Sequence, residues 1–134
     1  MTRANGSDQA GSTSSTAASG SVLDASVLDS LRELGGDDDP GLLSELIGIF
    51  LEDAPLRMKE IESALASGDI KLLERAAHTL KSSSANIGAR GLSSICRQME
   101  DRARAADAAS CTALYQQSST SLAEVALALQ QLCS

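Results

Sequence analysis

From Val22 onward, apolar residues recur at three- and four-residue steps, the spacing that lines one face of an α-helix. No stretch alternates in the two-residue rhythm of a strand. Asp24 is a good N-cap for a first helix that carries Val27, Leu28, Leu31 and Leu34 on one side and stops at Gly35-Gly36. Asp39 followed by Pro40 predicts a cap and first-turn proline for a second helix, with Leu43, Leu46, Ile47, Phe50 and Leu51 inward. Pro55 predicts the opening of a third helix, with Met58, Ile61 and Leu65 inward and Gly68 closing it. Asp69 caps a fourth, from about Ile70 to Ile87, stopped by Gly88. A fifth runs from about Arg90 to Ala105 with Leu92, Ile95, Cys96 and Met99 inward. The last, about Ala108 to Leu132, presents Leu114, Leu122, Val125, Leu129 and Leu132. Short connections make neighbours antiparallel, so the pattern predicts an all-α antiparallel four-helix bundle with one or two additional short N-terminal helices.

Composition sharpens this picture. Apolar residues make up 43% of the 134, but aromatics only 1%, so the core is aliphatic, which suits helix-on-helix packing. Residues 1–21 are nearly all Ser, Gly, Thr and Ala and read as a disordered tail or linker ahead of one domain over 22–134. They contain no apolar stretch of the kind a signal peptide has, and no 18-residue apolar run offers a membrane span. Cys96, Cys111 and Cys133 show neither a CxxC pair nor a zinc pattern, so the expected compartment is the reducing cytoplasm. A net charge of −7 argues against nucleic-acid binding. The acidic triplet Asp37–Asp39 lacks the alternating spacing of a calcium loop and reads as a favourable charge near a helix start.

The chain has one histidine, His78. At about 100° of rotation per residue, Leu73, Ala77, Leu80, Ser84 and Ile87 lie on the side of the fourth helix away from it. The imidazole therefore points to solvent, and Lys71, Arg75 and Lys81 share its face with one acid, Glu74. Residues 70–87 carry three bases against one acid, whereas 24–53 carry nine acids against one arginine. Positive charge gathers around the histidine of an acidic protein, where an anion or an acidic partner surface is favoured. A lone surface histidine is by itself most often only a solvated residue. No second His or Cys stands at metal-ligand spacing, and a convex helix face offers no water-free pocket for a hydrolytic enzyme.

The stretch AHTLKSSSANIGARGLSSICRQME, from Ala77, raises the histidine above that reading. It resembles the histidine-containing phosphotransfer (HPt) domain of multistep two-component phosphorelays. The matches are His78, Leu80, Lys81, Ser83, Ser84, Ile87, Gly88, Ala89, Leu92, Cys96 and Glu100. An upstream acidic run, FLEDAP and a Gly-Asp before the histidine helix fit the same family, so the resemblance extends from about residue 22 to the C-terminus.

The resemblance implies that His78 accepts a phosphoryl group from, or returns it to, the aspartate of a receiver domain in a response regulator or hybrid sensor histidine kinase. Lys81, one turn on, would neutralise phosphoryl oxygens, and Glu100 on the next helix would accept the other ring N–H and fix the tautomer. The chain itself would bind no cofactor, with Mg²⁺ on the receiver, and would serve as a monomeric phospho-carrier rather than a turnover enzyme. Lys71, Arg75, Ser82 and Ile49 are candidate docking residues. Ile49 stands about 110° off the apolar stripe of its helix; packing against an adjacent helix is its other reading. Ser82 departs from the family, which usually has glycine there. A glycine lets a partner backbone approach the imidazole closely, whereas serine adds a small polar group beside it. The rival expectations are a helical adaptor that binds a receiver or kinase without phosphorylation and an enzyme built on Glu100 and Asp101.

Overall fold

The computed structural model describes residues 22–133. Expectations for residues 1–21 fall outside the described residues. Five helices follow one another, α1 (Ala25–Gly35), α2 (Leu42–Ser67), α3 (Ile70–Asn86), α4 (Arg90–Arg104) and α5 (Ala108–Cys133), with no strand among the described residues. The connections between α2, α3, α4 and α5 are two or three residues long, which forces each helix to run back along its predecessor. Contacts of α2 with α3, α3 with α4, α4 with α5 and α5 with α2 close the ring into an antiparallel bundle, and α1 lies against α2. The core is aliphatic, with Ile47, Ile61, Leu73, Leu80, Leu92, Met99, Val125 and Leu129 among its fully buried side chains.

Most boundaries follow local chemistry. Asp24 caps α1 by accepting the Ser26 N–H at 2.9 Å, and Asp69 caps α3 by accepting that of Leu72 at 3.1 Å. The expectation that Pro55 opens a separate helix is overturned, since α2 runs through it unbroken. Ile47, Phe50, Ala54, Met58, Ile61 and Ala64 form one buried stripe on both sides of the proline, so burial along the whole helix outweighs its missing N–H. Pro55 itself lies on the exposed side, where water can reach the carbonyl left without its donor. The Asp39-Pro40 cap is also corrected. The α2 N-cap is Gly41, with no side-chain bond, and Asp39 contributes its backbone carbonyl to the Leu42 N–H at 3.1 Å.

Two leucines assigned inward face solvent, Leu34 at 75% and Leu132 at 43% exposure. Successive three-residue steps each fall about 60° short of a full turn, so Leu34 drifts roughly 120° from Leu28 and Gly35 takes the inner position. Ile49 is 61% exposed and outside the core. Among the described residues no helix is long and apolar enough to cross a membrane.

The turn between α3 and α4 fixes the frame of the site. Gly88 there has φ +85° and donates its N–H to the Ala85 carbonyl. Its own carbonyl accepts the Asp24 N–H at 2.8 Å, which ties the start of α1 onto the turn. A Cβ at Gly88 would sit 3.1 Å from the Asp24 carbonyl oxygen, so both the backbone conformation and the close approach call for glycine. Arg90 at the start of α4 pairs with the Asp24 carboxylate. Hydrogen bonds from Ser26, followed by Arg90, lower the Asp24 carboxyl to about 2.

Candidate functional site

On α3 the buried side is Leu73, Ala76, Ala77, Leu80 and Ser84, and His78 projects from the opposite side with 56% of its side chain exposed. Its Nδ1 lies 2.9 Å from Oε2 of Glu100, which faces it from α4. A carboxylate can only accept here, so the hydrogen bond calls for a proton on Nδ1, and in the neutral form of the ring the lone pair is then on Nε2. No hydrogen bond within the described residues engages Nε2.

Glu100 is the anchor of the group. It is 2% exposed, yet it has three donors. Lys81 Nζ reaches Oε1 at 2.8 Å, and His78 Nδ1 and Arg104 Nη2 share Oε2 at 2.9 and 2.7 Å. Burial pushes the Glu100 carboxyl up, but the hydrogen bonds from Lys81 and His78, with the charges of Lys81 and Arg104, leave it below its ordinary value. A buried carboxylate is thus held ionised by the groups it orients.

Arg104 was not singled out in the sequence. It stands four residues after Glu100, and its Nε also donates to Glu74 on α3 at 2.5 Å. Lys71, Glu74, Arg75, His78, Glu100 and Arg104 line a shallow basin of about 370 Å³. Of the candidate docking residues, Lys71 and Arg75 therefore meet at the histidine. Ser82 is exposed one turn further along α3. Ile49 lies elsewhere, in an apolar groove of about 470 Å³ with Leu31, Leu46, Phe50 and Ile87 and the polar edge of Asp53, Ser83 and Asn86. Cys96 is fully buried and its thiol is pushed up to about 12 by burial, so it is no nucleophile at neutral pH. Among the described residues no group of three or more His, Cys, Asp or Glu side chains converges as a metal site.

The site is thus an exposed imidazole on a helical bundle, braced from behind by a buried carboxylate and flanked by Lys71, Arg75, Lys81 and Arg104. The chain belongs to the Hpt domain family, whose model matches residues 45–134. It is 33% identical to the histidine-containing phosphotransfer protein B of Pseudomonas aeruginosa PAO1, over 82% of this chain and 92% of that one, with a TM-score of 0.75. A maize histidine-containing phosphotransfer protein shares the fold at TM-score 0.78, 22% identity and coverage of 88% and 87%. Two curated relatives match over 80 residues, 60% of this chain. Multistep phosphorelay regulator 1 of Schizosaccharomyces pombe is 29% identical and sensor protein TorS of Escherichia coli 35%. The match spans only 27% of the first and 8% of the second.

Proposed function

We propose that His78 carries the phosphoryl group, exchanging it with the aspartate of a receiver domain. The observation that carries this reading is the ring itself, the chain's one imidazole, half exposed and with Nδ1 committed to a buried carboxylate. In the transfer, the Nε2 lone pair attacks phosphorus in line with the aspartyl oxygen. The N–P bond forms as the P–O bond breaks, and the carboxylate leaves with that bond's electron pair. Nδ1 keeps its proton, and Glu100 balances the positive charge the ring acquires. Return of the phosphoryl group to an aspartate is the same step reversed.

The rest of the chain's task is positioning and charge. Lys81 holds Glu100 in place and adds positive potential beside the ring. Lys71, Arg75 and Ser82 face a docking partner, and Ile49 offers that partner an apolar contact in its groove. The receiver would bring Mg²⁺ and the acidic pocket, so the chain is a carrier, loaded and unloaded, rather than a turnover enzyme. The partners proposed are a response-regulator receiver, a hybrid sensor kinase, or both, met by a monomer in the cytoplasm. Similarity to a phosphorelay regulator and a sensor protein supports that class of partner.

The test is incubation with a radiolabelled phospho-receiver. Label that moves to the chain and is acid-labile but alkali-stable, and that is lost in His78→Gln with helicity intact, is the expected result. Tight binding without transfer would leave the adaptor reading in its place.

A further inference from the structure

The space beside the imidazole is asymmetric. Lys81 stands three residues C-terminal to His78 and is held on Glu100 Oε1, and it does not line the basin. Arg104 does. Its Nη2 shares with His78 Nδ1 the same oxygen of Glu100, and its Nε reaches back to Glu74, one turn N-terminal to the histidine. The guanidinium therefore flanks the ring on the side where there is room, with 56% of its side chain exposed. A planar guanidinium presents parallel N–H donors that match two oxygens of a phosphoryl group, which a lysine ammonium does not. Glu74 is out of place in this setting. It is a carboxylate in a basin that would receive a dianion, and it occupies the N–H of Arg104 closest to hand.

Resting on His78 as the phosphoryl carrier, we propose that Arg104 is the cation that binds the phosphoryl group, and that Glu74 holds it in reserve while the histidine is unloaded. On loading, Arg104 keeps one Nη2 N–H on Glu100 and turns its Nε N–H away from Glu74, so that it and the parallel second Nη2 N–H meet the phosphoryl oxygens. Unloading returns it to Glu74. The exchange makes Glu74 a tuning residue. It sets how much of Arg104's binding is available to the phosphorylated state, and so how the phosphoryl group divides between His78 and the receiver aspartate.

The test is the equilibrium ratio of phosphohistidine to phosphoaspartate, measured with the full chain and a radiolabelled phospho-receiver. The wild type is compared with Arg104→Gln, Arg104→Lys, Glu74→Gln and the double variant Glu74→Gln/Arg104→Gln, each checked for helicity and urea midpoint. Loss of one charge-assisted pair should lower the histidine share about tenfold in Arg104→Gln, with partial recovery in Arg104→Lys. Release of the competitor should raise it roughly threefold in Glu74→Gln, and that gain should vanish in the double variant. A ratio unmoved by Arg104→Gln overturns the assignment. A Glu74→Gln gain that persists without Arg104 overturns the reserve, because it would mean simple repulsion. A wild type that accepts no phosphoryl group at all overturns the reading of His78 itself.

Discussion

Replacing Glu100 with alanine removes the one acceptor on which His78, Lys81 and Arg104 converge. A hydrogen bond to a charged group contributes about 1.5–3 kcal/mol, but the partners here are 29–56% exposed and regain water when released. The buried carboxylate's own desolvation is also recovered, so the net loss should be only about 1–2 kcal/mol, a fall in Tm of roughly 4–8 °C for a domain this size. The pH dependence has a definite sign. The folded-state carboxyl lies below its ordinary 4.5, so its contribution is complete above that value and disappears as pH falls through the folded pKa. Urea unfolding followed by circular dichroism at 222 nm, for both proteins between pH 7 and pH 3, should show a constant gap at neutral pH that closes only in acid. Phosphotransfer should fall on the order of tenfold or more at neutral pH, because the ring loses the group that fixes its tautomer. Equal stability at pH 7, or a gap that survives unchanged at pH 3, would refute the account of Glu100 as an ionised anchor.

Three further variants test the frame. Gly88→Ala forces a side chain into φ +85° and against the Asp24 backbone, and should cost about 2 kcal/mol or more by urea denaturation. Ala106→Gly relieves the one non-glycine residue at positive φ among the described residues, at 59°, and should stabilise by about 0.5–1 kcal/mol. Pro55→Ala returns a donor to the Leu51 carbonyl inside α2 and should stabilise by about 1–2 kcal/mol in the same measurement, with transfer unaffected.

The outward direction of His78 was legible because α3 is a single amphipathic helix, whose rotation per residue places Leu73, Ala77, Leu80 and Ser84 behind it. Its pairing with Glu100 came only through the family pattern, since no local rule says which acid of α4 turns inward. Arg104 escaped notice for a related reason. Its i+4 relation to Glu100 is ordinary on a helix surface, and its meaning depends on the burial of Glu100 and on Glu74 across the helix pair. Pro55 misled because a local breaker was weighed without the apolar stripe that continues through it. The Ile49 groove was invisible for the opposite reason, since its walls come from three helices far apart in sequence.

In the proposed transfer one outward imidazole, its Nδ1 proton held by Glu100, takes the phosphoryl group on Nε2. Long-range ¹H–¹⁵N correlation of the imidazole in the ¹⁵N-labelled, receiver-phosphorylated protein reads this directly. A phosphorus-bonded Nε2 beside a protonated Nδ1 is the expected result. Phosphorylation on Nδ1, or a ring left unchanged while the protein carries phosphate elsewhere, would contradict it.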